Sequence, residues 1–334
     1  MKKVVSFSGG ESSRFLCHEM IRIFGRDAVD FVTMDTGAEH ELTYKFIRDI
    51  DKLMNLELTC LRANLDLPMG KGVGFHIIDI NDMKQDLIPY KAMMKKYGVP
   101  YIGGMFCTDR MKLKPYKKYC DDKYGRSNYE TWLGIRFDEP KRLWGTNVKY
   151  PLKSTYGQII KCGLDDYEAA MLFRNLRNGE ETIDCLDDIS PLAKELITKR
   201  LAFLDKDNLH YLAEISDCEK PDTLIFSDKS TVSLNLDEWS GNCVECPKKS
   251  NLKLAASHLD NPISYVNFVS ALNDSSVRVD DKTGSKDLMY RGKQSLESLI
   301  AKFDGVSGEE IKSRIRGTKA IDTGSCSESC EIFN

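Results

Sequence analysis

The chain has 334 residues, a length that suggests about two domains of roughly 150 residues, or one large α/β domain with insertions. Its 48 Lys and Arg against 51 Asp and Glu leave a formal charge of −3, which excludes a generic polyanion binder held by overall charge. With 41% hydrophobic and 30% charged residues it reads as an ordinary soluble chain able to bury a full core. No apolar run approaches the roughly 18 residues of a membrane span, and nothing after Met1-Lys2-Lys3 resembles a signal-peptide core. Eleven cysteines, an odd number spread from Cys17 to Cys330, point to a reducing, cytoplasmic setting in which most are small buried hydrophobes.

Residues 3–7 read as a short buried strand, followed by Ser8-Gly9-Gly10-Glu11-Ser12-Ser13 and an amphipathic helix over about 12–24. A second strand over 28–34 ends in Asp35-Thr36-Gly37, and a helix over 39–53 and a third strand over 56–62 follow. Strand and helix alternating at this spacing predict an α/β fold with a doubly wound, mostly parallel sheet and helices on both faces. Ligands of such sheets bind at the carboxyl ends of strands, where both glycine-bearing turns fall. Residues 64–76 read as a loop, 82–97 as a helix stopped by Gly98 and Pro100, and 109–124 as a basic helix or broken helix. A strand over 129–135 leads into Arg136, and 165–178 is a helix. The expected organisation is a nucleotide-binding domain over 1–250 with a helical insertion at about 180–230, a helical C-terminal region over 251–317, and a flexible Gly/Ser/Cys-rich tail over 318–334.

The turn after the first strand carries specific chemistry. Two glycines let the backbone turn tightly and approach a ligand, while first-turn amides and the positive helix end point at one spot. Ser8, Ser12 and Ser13 add hydroxyls. That arrangement suits phosphate, pyrophosphate or sulfate; the bland alternative is a serine-capped strand–helix turn.

Ser-Gly-Gly-x-x-Ser after an N-terminal strand resembles the PP-loop of the adenine nucleotide α-hydrolase superfamily, and within it the phosphoadenosine phosphosulfate (PAPS) reductase family. Asp35-Thr36-Gly37-x-Glu39-His40 resembles that family's second-strand motif, and Gly134-Ile135-Arg136-x-Asp138-Glu139 its Gly-x-Arg motif. Cys107-Thr108-Asp109-Arg110-Met111-Lys112 is similar to the segment of adenylyl-sulfate (APS) reductases that bears a first cysteine pair, and Asn242-Cys243-x-x-Cys246-x-Lys248-Lys249 to the second. These motifs cover about residues 1–250, and the whole looks most like phage and prophage members of the family. One departure matters: the ATP pyrophosphatases carry Ser-Gly-Gly-x-Asp-Ser, and Ser12 stands where that Asp would help hold a hard cation.

By itself Cys243-x-x-Cys246 is a redox pair, half a metal site or a coincidence. The resemblance implies that Cys107, Cys243 and Cys246 hold a [4Fe–4S] cluster, with Cys120 or a tail cysteine as fourth ligand or one iron left open. Thiolates suit zinc equally, and unliganded buried thiols are the third reading. The resemblance also implies a tail thiol, here Cys326 or Cys330, that attacks the sulfate and is resolved by a thioredoxin- or glutaredoxin-type reductant. It assigns Gly9, Gly10 and Ser13 to the phosphate or sulfate, Thr36 and Gly37 to the nucleotide cleft, and Arg136 and Lys112 to anionic oxygens. Lys248 and Lys249 would balance cluster charge.

The leading expectation is an adenine-nucleotide-binding enzyme that releases sulfite from APS or PAPS. The alternatives are ATP-dependent sulfur transfer to a nucleic acid and a non-catalytic nucleotide binder of phage–host interaction. The 180–230 and 251–316 segments would make partner or homodimer contacts, the basic face of 109–126 would guide a nucleic acid in the second reading, and no membrane is expected.

Overall fold

The computed structural model describes residues 1–101, 106–147, 150–274, 276–278 and 294–318. The expected tail, with Cys326 and Cys330, lies outside the described residues from 319 onward.

Six strands form one sheet: β1 (Lys2–Ser6), β2 (Val29–Asp35), β3 (Thr59–Asn64), β4 (Gly74–Ile78), β5 (Tyr129–Leu133) and β6 (Leu209–Tyr211), in the order β4-β3-β2-β1-β5-β6. All neighbours pair in parallel except β3 with the antiparallel edge strand β4. Adjacent β1 residues feed different cores, as a pleated strand requires. Val5 packs with Leu16, Met20, Phe46 and Ile47 of α1 (Glu11–Phe24) and α2 (Glu41–Met54). Val4 packs with Tyr116, Tyr119 and Cys120, across the sheet.

The helix α3 (Ile88–Tyr97) precedes a longer helical run in which α4 (Phe106–Thr108) passes through a π turn, Asp109–Leu113, into α5 (Lys114–Tyr124). Pro115 explains the π turn. It has no N–H to donate and its ring crowds the carbonyl four residues back, so one extra residue is taken into the turn. That turn lies against β2 and β3. After β5 come α6 (Pro140–Trp144), α7 (Thr155–Lys161), α8 (Asp166–Asn178), α9 (Pro191–Lys206), α10 (Leu212–Ile215) and α11 (Lys220–Asp228). The last described helices are α12 (Asn251–Asp260), α13 (Pro262–Leu272), α14 (Leu296–Ile300) and α15 (Gly308–Thr318).

Three expectations are corrected. The loop predicted over 64–76 ends in β4, whose partly exposed Phe-His-Ile-Ile stretch carries no clean alternation of burial. The helix predicted from 82 starts at Ile88, with Pro89 in its first turn and a 3-10 turn at Ile80–Asp82 before it. The segment at about 180–230 is not purely helical: Leu209–Tyr211 joins β5 and extends the sheet. Three residues are too few to reveal a period of two.

Candidate functional site at the strand ends

The chain runs from β1 outward to β2 and β3, then returns to the other side of β1 as β5. The strand order therefore reverses at β1, and a crevice opens at the carboxyl ends of such a switch point. Four segments meet there: Ser8–Ser13, Thr36–His40, Gly134–Asp138 and the π turn.

The first segment is shaped by steric necessity. Gly9 has φ +76°, and a Cβ on it would lie 2.9 Å from side-chain carbons of Ile47 and Thr43. Gly10 is the N-cap of α1 and has no side chain to cover the first-turn amides. The Gly10 N–H donates to Ser13 Oγ at 3.2 Å, and that hydroxyl donates to the Gly10 carbonyl at 2.8 Å. Ser13 is buried, and its hydroxyl is engaged within the turn. Ser8 remains exposed and donates to Ser13 Oγ at 3.1 Å. Glu11 turns away from the loop, accepting from Ser227 Oγ at 2.8 Å and the Leu234 N–H at 3.1 Å.

Gly134 closes the crevice on the β5 side. A Cβ there would lie 2.9 Å from Ser13 N, so only glycine lets the strand end abut the first turn of α1. Two residues on, Arg136 is 7% exposed, and its Nη1 donates to Ser12 Oγ at 2.7 Å. Its Nε donates to Asp138 Oδ1 at 2.7 Å, and its N–H to Glu139 Oε2 at 2.9 Å. Burial disfavours its charge, but the Glu139 and Asp138 carboxylates more than offset this and raise its pKa. The first turn of α1 thus holds a serine hydroxyl against a buried guanidinium.

On the β2 side, Asp35 is fully buried and pinned. Its Oδ1 accepts from the Gly37 N–H at 2.9 Å, and its Oδ2 from Arg62 Nε at 2.8 Å. Burial still pushes its pKa up against these partners. Thr36 Oγ1 accepts from the Ala38 N–H at 3.2 Å and lies 4.0 Å from Cys243 Sγ. His40 caps α2, its Nδ1 accepting from the Leu42 N–H at 3.1 Å; burial, with Lys249 nearby, lowers its pKa and favours the neutral ring.

The cysteine segment is laid on this edge by a short bridge pairing Glu39 with Cys243, with the Val244 N–H donating to the Ala38 carbonyl at 2.9 Å. Cys243 Sγ donates to Glu39 Oε1 at 3.6 Å, and Lys112 Nζ donates to the same oxygen at 3.1 Å. Lys112 is thereby tied to Glu39. Cys246 follows one tight turn later, its N–H donating to the Cys243 carbonyl at 3.2 Å. Lys249 is buried and donates to the Val244 carbonyl at 2.8 Å. Glu245 is also fully buried, and among the described residues neither of its carboxylate oxygens has a hydrogen-bond partner. Burial pushes its pKa up to about 8, partly countered by Lys249.

Cys107, Cys243 and Cys246 share one apolar cluster with Met111 and Trp239. Cys120 does not join them. It lies 13 residues along the helical run from Cys107, about 20 Å at 1.5 Å per residue, and packs in a different cluster, with Val4 and Tyr116. Thiols are the soft donors that zinc and iron–sulfur clusters take. Yet among the described residues no three His, Cys, Asp or Glu side chains are gathered around one point as a metal requires. No chemical step is routed through a metal here. Glu39, Glu245 and buried Lys249 are what spacing alone underrated; Glu39 stood inside a quoted motif, but nothing in the sequence marks Glu245 as buried.

The outer face of α5 is different. A groove of about 680 Å³ runs along it, lined among others by Lys114, Lys117, Lys118 and Arg126. These cations meet Asp109, Asp207, Asp122 and Asp121 at 3.0, 2.6, 3.4 and 3.7 Å. The basic run is locally neutralised.

The chain is 35% identical over 338 residues to the uncharacterized nin region protein ORF290 of Escherichia phage lambda, covering 100% of this chain and 96% of that protein. It is 26% identical over 133 residues to the uncharacterized protein MJ0066 of Methanocaldococcus jannaschii, covering 40% of this chain and 22% of that protein. No family model and no solved structure matches it. Among the described residues no helix is long and apolar enough to cross a membrane.

Proposed function

The chain belongs to the family of the phage lambda nin region protein, and for it we propose an adenine-nucleotide-binding enzyme of PAPS-reductase type, built on an adenine nucleotide α-hydrolase-like fold, that releases sulfite from an adenylyl sulfate. The observation that carries this reading is the pairing of buried Arg136 with Ser12 at the uncapped first turn of α1, at the switch point of the sheet. A guanidinium, first-turn amides and the positive end of a 14-residue helix form an anion site. Thr36 and Gly37 border the cleft on the other side. Thr36 lies 4.0 Å from the Cys243 sulfur, so a group bound along this edge stands beside thiol chemistry.

Ser12, engaged by Arg136, supplies no carboxylate for a magnesium–pyrophosphate complex, which favours a sulfate-bearing nucleotide over ATP. The neutralised α5 face offers little to a polyanion, which weighs against a nucleic-acid acceptor. In the proposed reaction Arg136 and the α1 amides hold the anionic end of the nucleotide, and the buried guanidinium stabilises charge that develops on the leaving phosphate.

The test is titration calorimetry with APS, PAPS and ATP, followed by a sulfite assay under reducing conditions. Binding of APS or PAPS, with sulfite released, is the expected result. Pyrophosphate released from ATP in the presence of a nucleic acid would favour sulfur transfer. Tight binding without turnover would identify a nucleotide-binding protein of phage–host interaction.

A further inference from the structure

We propose that Cys243 and Cys246 form a redox-active dithiol within the nucleotide cleft, with Glu39 as the proton acceptor of Cys243. This rests on the reading above for its substrate, but not for its geometry. Two observations carry it. The Cys246 N–H donates to the Cys243 carbonyl at 3.2 Å, closing a four-residue turn. Such turns hold their end Cα atoms within about 7 Å, and a disulfide spans about 4.4–6.8 Å. Cys243 Sγ already donates to Glu39 Oε1 at 3.6 Å, and Lys112 Nζ steadies that carboxylate at 3.1 Å.

Chemically, the pair supplies the two electrons that a sulfate needs to leave as sulfite. Cys243 passes its proton to Glu39 and attacks the sulfate sulfur. An S–S bond forms, the S–O bond to the nucleotide phosphate breaks, and the nucleotide monophosphate leaves with the bonding pair. Cys246 then attacks the Cys243 sulfur. The Cys243–Cys246 disulfide forms, the bond to the sulfonate breaks, and sulfite departs with that electron pair and the Cys246 proton. The dithiol is oxidised and sulfur(VI) becomes sulfur(IV). An external dithiol, small-molecule or protein, regenerates the pair by exchange.

The experiment uses the full chain in two arms. In the first, no nucleotide is present. The protein is equilibrated across ratios of reduced to oxidised dithiothreitol, alkylated, and mapped by mass spectrometry. The peptide bearing residues 243–246 should pass in one two-electron step from doubly alkylated to disulfide-linked. Two alkylatable thiols at every ratio would overturn the proposal, as would iron or zinc retained by wild type and lost in Cys243→Ser. In the second arm, pre-reduced protein free of added reductant meets APS or PAPS. One sulfite per chain, with both thiols consumed, is expected; Cys246→Ser should trap a sulfonate on Cys243 and release none. Sulfite release that survives in Cys243→Ser overturns the dithiol while leaving the proposed reaction standing. A clean first arm with no sulfite in the second overturns the proposed reaction and, with it, the dithiol's substrate, but leaves the redox pair itself supported. The first arm uses wild type, so a poorly folding variant does not decide it.

Discussion

Two regions of this molecule are rich in cations, and they are built in opposite ways. At the strand ends, Arg136 is 7% exposed and aimed at the first turn of α1 by Asp138 and Glu139. Along α5, Lys117 and Lys118 have side chains 49% and 51% exposed, each beside a carboxylate. Solvent and salt screen the second set, whereas the first is held in place before any ligand arrives. The number of basic residues in a segment therefore says little about anion binding; what counts is whether the fold removes them from water and directs them.

The sharpest way to break this contrast is Arg136→Ala. It should weaken adenylyl-sulfate binding by about 1.5–3 kcal/mol, roughly 10- to 150-fold, the range for hydrogen bonds to charged groups. Calorimetry that finds unchanged affinity in a folded variant would remove Arg136 from the site. Next is Gly134→Ala, whose Cβ would sit 2.9 Å from the Ser13 backbone nitrogen. Overpacking of this kind costs about 1–3 kcal/mol, read as a lower denaturation midpoint, and it should weaken nucleotide binding as well, because the first turn of α1 must shift.

Glu245 tests burial in the cysteine turn. With its pKa pushed from an ordinary 4.5 to about 8, the folded chain keeps a proton that the unfolded chain has shed. Its stabilising contribution is fully present below about pH 4.5 and is lost as pH rises through 8. In Glu245→Gln the thermal midpoint should decline less between pH 5 and pH 8.5 than in wild type; parallel curves would show that the carboxyl is solvated. The smallest effect belongs to α5. Lys117→Gln and Lys118→Gln should each change stability by no more than about 0.5 kcal/mol and leave nucleotide affinity unaltered. A marked, salt-dependent loss of affinity in either would move the binding surface to that groove.

The strands β1, β2, β3 and β5 were legible because their apolar runs are separated by helical periods and end in glycine-bearing turns. The two edge strands were not. The burial of β4 does not alternate, and β6 has only three residues, so neither carries a period that distinguishes strand from loop. The π turn was half visible: Pro115 announces a break in a helix, but not that the helix continues through it. Within the site, Gly9, Gly10, Thr36, Lys112, Arg136 and Cys243 could be named from their motifs. The motif could not show that Ser13 spends its hydroxyl on Gly10, since that depends on the conformation of the turn. Nor could it show that Cys120 packs in another core than Cys107, since this depends on what the helical run meets along its length.

The order of residues alone determined the parallel α/β plan and the tight glycine turn after the first strand, because these follow from local sterics and from periodicity along a few residues. Tertiary structure decided which groups share the crevice: Arg136 against Ser12, Glu39 between Lys112 and Cys243, and Glu245 sealed away from water. Those pairings join residues 124, 73 and 204 positions apart. No local rule reaches that far; only the packing of the sheet against its helices brings such charges and thiols together and sets how dry their surroundings are.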